Sequence, residues 1–155
     1  MSLISKVIRL AYQQPEFREQ HLQLINVALG VGTLVKSKEH ADQILNADWK
    51  SWKRVRLPEK NEVFFNRVQG TISVPIKNLR PIRARVGGII RANRNMWLTY
   101  NGYGKKRDPI SLRKIDENTY EVADGNSTYR NAKDSGWKNI WGVVVEDVSK
   151  NSLLP

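Results

Sequence analysis

The chain has 155 residues, no cysteine, two histidines and a formal net charge of +11. That length suits one ordinary domain with a helical appendage and a core of its own, and without cysteine, with only His21 and His40 as histidines, thiol chemistry and disulfides are excluded and neither zinc nor haem is expected. No apolar run approaches the roughly 20 residues of a membrane span, and the start of the chain lacks a signal peptide's pattern, so a cytoplasmic protein without membrane contact is expected.

Residues 3–12 set Leu3, Val7 and Leu10, with Ile4 and Ile8, at helical spacings. Pro15 interrupts, and a second helix is predicted over 16–29, with Phe17, Leu22, Ile25 and Leu29 as its stripe and Gly30 and Gly32 as its stop. Stripes of this kind bury against another helix. With a short helix at 39–47 they make residues 1–48 an N-terminal helical arm, suited to docking a protein partner or a second copy of the chain.

Residues 49–70 read as a basic, aromatic linker and a first strand. Trp49-Lys-Ser-Trp-Lys-Arg-Val-Arg56 interleaves two tryptophans with four cations. Either the indoles stack on bases while the cations meet phosphates, or they pin a basic segment to the core. Residues 49–107 hold fifteen of the 26 Lys and Arg but only two acids, Glu59 and Glu62. A basic excess confined to one stretch implies a polyanionic partner, nucleic acid and DNA first of all. The expected contacts are Lys50, Lys53, Arg54, Arg56, Arg83, Arg85, Arg91, Arg94, Lys105, Lys106 and Arg107.

From Glu62 the period moves towards two. Val63 and Phe65, then Ile72, Val74 and Ile76, alternate with polar residues across Gly70 and predict paired strands, the second ended by Asn78-Leu-Arg-Pro81. A helix with a weak apolar face is expected from 88 to 100, then a loop at 101–104 with the basic rim 105–107. Asp108-Pro109 opens a strand at 110–113, Asp116-Glu-Asn118 turns it, and Tyr120 and Val122 return. Asn126, Ser127 or Thr128 caps a helix that stops at Gly136, and 140–145 reads as a buried strand.

A strand that ends in Asp124-Gly125 and feeds a helix can hold a phosphate. Glycine lets the backbone approach an anion, the amides of Asn126, Ser127 and Thr128 point at it, and the helix dipole favours negative charge there. Arg130 would add a cationic fork, and Asp124 could hold Mg²⁺ through one carboxylate. The same pattern also occurs as plain turn chemistry, with Asp124 and Asp108 capping turns and Arg130 paired to one of them.

The run from Pro109-Ile-Ser-Leu-Arg-Lys-Ile115 through Thr119-Tyr-Glu-Val-Ala-Asp-Gly-Asn-Ser-Thr-Tyr-Arg-Asn-Ala132 to Gly136-Trp-Lys-Asn-Ile140 resembles the ParB N-terminal domain. That family has a strand pair, a Gly-Glu-Arg-Arg-x-Arg-Ala motif opening a helix, and a short loop into another strand. Gly125 stands at the motif's glycine, Arg130 at its last arginine and Ala132 at an alanine after it. Upstream, Ile72-Ser-Val-Pro-Ile-Lys-Asn-Leu-Arg-Pro-Ile-Arg-Ala-Arg85 resembles the strand and the Pro/Arg element of the same ParB/sulfiredoxin superfamily. The resemblance covers roughly residues 71–146. It implies an α+β fold over 71–155, a small mixed sheet with packed helices, preceded by the helical arm.

For function, the resemblance implies a compact DNA-binding protein of the ParB-like nuclease class, of plasmids or phages, in a bacterial host's cytoplasm or associated with a virion. Mg²⁺ and a nucleoside triphosphate are its implied cofactors. Asp124, Asn126 and Asp108 would be the catalytic groups, with Asp124 the metal ligand, and Gly125, Asn126, Ser127, Thr128 and Arg130 would bind phosphate. Asn126-Ser-Thr128 stands where ParB proteins carry Glu-Arg-Arg, which removes two charges used for the triphosphate. Sulfiredoxin's reactive cysteine would fall at Asn126, which excludes its sulfinic acid chemistry. A non-catalytic phage or mobile-element binding or structural protein with a vestigial nucleotide site is the alternative. A nucleotide-dependent kinase is a further one, although Arg80-Pro-Ile-Arg-Ala-Arg85 lacks the acid that superfamily kinases use there.

Overall fold

Residues 34–147, and Lys6 ahead of them, are described in a computed structural model. Lys6 apart, the helices expected at 3–12 and 16–29 lie outside the described residues. The third expected helix forms as α1, Lys38–Asn46, where the Ser37 hydroxyl accepts the His40 N–H at 3.1 Å and so satisfies an open amide of the first turn. A 3₁₀ turn at Trp49–Ser51 follows, capped by Asp48. Then come α2 (Asn61–Phe64), β1 (Thr71–Pro75), a 3₁₀ turn (Ile76–Asn78), β2 (Leu79–Arg80) and α3 (Val86–Tyr100). The hairpin β3 (Ile110–Lys114) and β4 (Tyr120–Asp124), helix α4 (Asn126–Asp134) and β5 (Asn139–Asp147) complete the order.

The fold is α+β: a five-stranded mixed sheet in the order β1-β5-β3-β4-β2 with helices packed on it. β1 runs antiparallel to β5, β5 parallel to β3, β3 antiparallel to β4, and β4 parallel to β2. Val74, Ile110, Leu112, Val122 and Ile140 bury the sheet's inner face against Met96 and Trp97 of α3 and Tyr129 and Ala132 of α4. Gly142 of β5 leaves room for the Leu112 side chain of its neighbour β3, since a Cβ there would come within 2.6 Å of Leu112 Cδ1. In the hairpin turn, the Asp116 carboxylate accepts the Asn118 N–H at 3.0 Å, which chiefly holds its pKa below the ordinary value. No helix among the described residues is long and apolar enough to cross a membrane.

Four expectations need correction. The strand at Val63 and Phe65 is instead the helical turn α2, and Phe65 makes only an isolated parallel bridge, to Arg107. The buried residues are Asn61, Phe64 and Phe65, a set that does not alternate, and the Asn61 side chain takes the Trp141 N–H at 2.9 Å and gives to the Asn139 carbonyl at 3.2 Å. The strand read from Ile72 through Ile76 and ended by Asn78-Leu-Arg-Pro81 is two strands, β1 and β2, on opposite edges of the sheet. Pro75 has no N–H to extend a ladder, and the 3₁₀ turn after it, with the Ile76 N–H on the Lys138 carbonyl, carries the chain to β4. β5 is buried only at its start: Ile140 is sealed, while Val144 and Val145 are 41% and 57% exposed. Finally, α4 has no side-chain cap; Gly125 takes the cap position in the left-handed region, φ +97°.

A buried polar network holds residues 52–57 against both long helices. Asn93 accepts from Trp52 Nε1 at 3.0 Å and from the Val55 N–H at 2.9 Å, and donates to the Val55 carbonyl and to Asn131 Oδ1, both at 2.9 Å. Asn131 in turn donates to the Ile89 and Ser127 carbonyls and accepts from Arg54 Nε and Nη2. Both amides therefore use all their hydrogen-bonding capacity. Trp137 Nε1 adds a bond to the Leu57 carbonyl at 2.8 Å.

Arg54 and Arg130 meet on Asp134, at 3.0 and 2.9 Å. Burial pushes this carboxyl's pKa up, but the two arginine hydrogen bonds outweigh it and leave it below the ordinary value. A depressed carboxylate stabilises the fold above its unfolded pKa of about 3.9 and loses that contribution as pH falls through the folded value. Urea midpoints measured from about pH 5 down to about pH 2 should therefore fall less steeply in Asp134→Asn than in the wild type; identical acid limbs would rule the contribution out.

Candidate phosphate site at the start of α4

β4 ends at Asp124, and Gly125 turns the chain into α4. The positive φ suits glycine, and a Cβ there would come within 2.5 Å of Ile110 Cγ2. Because no side chain caps α4, the open amides of its first turn remain for another acceptor. Asn126 does not cap: it accepts the Ile82 N–H at 2.8 Å and donates to the Val122 carbonyl at 3.1 Å, which ties the loop after β2 to the helix. α3 starts beside α4, since a Cβ on Gly88 would come within 3.0 Å of Ser127 Oγ. The start of α3 also lacks a side-chain cap, so two helix N-termini with positive partial charge adjoin.

Arg107 is the cation built into this place. Its backbone is held on both sides, the N–H on the Phe64 carbonyl at 3.1 Å and the carbonyl by the Asn66 N–H at 2.8 Å. The guanidinium donates from Nη1 to Thr128 Oγ1 at 2.7 Å and from Nε to the Asp108 carbonyl at 3.0 Å. Nη2 lies 3.8 Å from Asp124 Oδ2, whose side chain is 81% exposed. A pairing of that length with a carboxylate open to water is worth little, so an incoming anion competes easily for Nη2.

The start of α4 separates two clefts. One, of about 250 Å³, is lined by Asn95, Thr99, Lys105, Arg107 and Thr128. The other, of about 240 Å³, lies under Ile82 and Arg83 and includes Asn126, Tyr129, Arg130 and Lys133. Both are lined by cations.

The structure thus brings Asp124, Gly125, Asn126, Ser127, Thr128 and Arg107 together. Asp108 is adjacent in sequence, but its carboxylate takes Asn66 Nδ2 at 3.4 Å. Arg130 is directed along α4 to Asp134. Among the expected DNA contacts, Arg54 is held by Asn131 and Asp134, and Arg56 donates to the Ser135 carbonyl at 3.3 Å. Arg91 lies on Trp49 and Arg94 reaches the Ala47 carbonyl at 3.5 Å. Lys50, Lys53, Arg83, Arg85, Lys105 and Lys106 are exposed.

Arg107 was legible only as one of many surface cations. Its position follows from the hairpin: when β3 pairs antiparallel with β4, Ser111 opposite Asp124, the residues before β3 are carried to the end of β4. Among the described residues no group of three or more His, Asp or Glu is placed to hold a metal ion. With Asp124 facing a guanidinium, the donor set suits an anion better than a divalent cation.

No family model matches the chain, and no curated protein matches it. Among solved structures the chain is similar to sulfiredoxin from Arabidopsis thaliana, at 13% identity and a TM-score of 0.39, over 53% of this chain and 91% of that one.

Proposed function

We propose that this protein binds the phosphate backbone of nucleic acid, DNA first of all, with one phosphate seated at the start of α4. The observation that carries this reading is the Arg107 guanidinium, oriented by Thr128 and the Asp108 carbonyl beside the uncapped first turn of α4. A fixed guanidinium and open helix amides together present donors matched to phosphate oxygens. The basic excess of residues 49–107 supports a long polyanion over a small anion, and the resemblance of 71–146 to the ParB N-terminal domain supports it independently.

Arg107→Ala is expected to weaken binding of a labelled oligonucleotide about 5- to 20-fold at moderate salt. It should also flatten the dependence of log K on log salt by about one phosphate contact. Fluorescence anisotropy across a salt series reads both, and unchanged affinity and slope would sink the proposal. Tighter binding of a nucleoside triphosphate than of DNA would replace it with a nucleotide-binding role. Asp124→Ala should keep or raise DNA affinity by removing a competing carboxylate. Hydrolysis of the phosphodiester is the second reading, favoured by the exposure of Asp124 at the mouth of the site. Cleavage by the wild type that is lost in Asp124→Ala would establish it.

A further inference from the structure

Trp49 and Trp52 look equivalent in the sequence, yet the fold uses them differently. Trp52 packs against the hydrophobic core and donates to Asn93. Trp49 belongs neither to that core nor to the partly buried hydrophobic residues packed against it. Its six-membered ring lies instead across the first turn of α3, where a Cβ on Gly87 would come within 3.1 Å of Cη2 and 3.2 Å of Cζ2. The 3₁₀ turn fixes it there: Asp48 Oδ1 accepts the Lys50 N–H at 3.1 Å, and the Trp49 carbonyl accepts the Trp52 N–H at 3.1 Å. Two cations attend the ring, Arg91 Cζ at 4.7 Å and Lys50 Nζ at 5.8 Å from its centroid.

An indole outside the core cluster, partly buried on α3 and attended by cations, keeps part of its surface open to water. Its position supplies the use. Gly87 touches Trp49, and the next residue, Gly88, adjoins Ser127 in the first turn of α4. A nucleobase stacked on the indole would place its own backbone beside the phosphate site. The base must present a free face, which a duplex denies and a single strand offers. The Arg91 guanidinium already lies over the ring, and it can stack a base in its turn as it stacks on indole.

We propose that Trp49 is a stacking platform for one base of single-stranded nucleic acid whose neighbouring phosphate sits at the start of α4. The proposal rests on the phosphate-backbone reading above. The test compares oligothymidylate of twelve residues with the same strand carrying abasic sites, by anisotropy, on wild type, Trp49→Leu, Trp49→Phe and Arg107→Ala. Wild type should favour the base-bearing strand by about 5- to 100-fold. Trp49→Leu should lose that preference while keeping its affinity for the abasic strand, Trp49→Phe should retain most of the preference, and Arg107→Ala should weaken both strands. Equal wild-type affinity for the two strands overturns the proposal without any variant, and so does a preference that survives in Trp49→Leu. Neither outcome touches the phosphate site, which fails separately if neither strand binds or if Arg107→Ala changes nothing.

Discussion

Alanine at Asn93 is expected to destabilise the fold by on the order of 3–5 kcal/mol. Asn93 is 1% exposed, and its removal leaves the Val55 N–H and carbonyl and the Trp52 indole N–H without the partner that α3 provides. An unsatisfied buried polar group costs roughly 1–3 kcal/mol, against the roughly 1 kcal/mol that an ordinary hydrogen bond contributes net. Three such groups on one segment exceed what relaxation of 52–57 recovers. Chemical denaturation should show a lower midpoint with an unchanged slope. Asn93→Asp keeps the two acceptor contacts but loses both donor contacts, so it should also be strongly destabilised. A loss under about 1 kcal/mol in both variants would mean that water replaces the asparagine and that the network is not structural.

Gly125→Ala should cost a comparable amount, about 2–4 kcal/mol, for a different reason. The added methyl meets Ile110 at 2.5 Å on Cγ2 and 2.9 Å on Cβ, and the residue must hold a left-handed φ of +97°. Ile110 is fully buried in the middle of the sheet and cannot swing aside. The alternative is for the backbone to shift, which would move the first turn of α4 away from Arg107. If the proposed phosphate site is where DNA binds, the variant should therefore lose DNA affinity even where it remains folded. Heat denaturation and anisotropy on the same preparation separate the two effects; full stability with full affinity would show that the tight turn is not required.

The parts of the fold legible in the sequence were those whose contacts are local. Ile110 and Leu112 against Tyr120 and Val122, with Asp116-Glu-Asn118 between them, spell a hairpin, and Gly125 and Gly136 bracket α4. Where burial follows tertiary contacts, the pattern misled. Asn61, Phe64 and Phe65 are buried because they meet the sheet, not because they alternate, so α2 read as a strand. Asn93 and Asn131 look like surface residues of weakly apolar helices, yet both are buried, because each finds partners on another element. At the candidate site, glycine and the helix start were legible. The guanidinium that completes it was not, because its place depends on the register of two strands and on Thr128. The Asn126 side chain was equally illegible in its partners: it fastens the loop at Ile82.

The edge strands have a consequence for the order in which the chain can mature. β1 and β2 lie almost side by side in sequence but on opposite margins of the sheet, and among the described residues each has a single neighbour, β5 for one and β4 for the other. During synthesis, Thr71–Pro75 has no strand to join until residues 139–147 have left the ribosome. Until then the hairpin and α4 can assemble nearby contacts, while the inner position between β1 and β3 stands vacant. Among the described strands, the nascent sheet therefore stays split between β1 and β3 until β5 closes it.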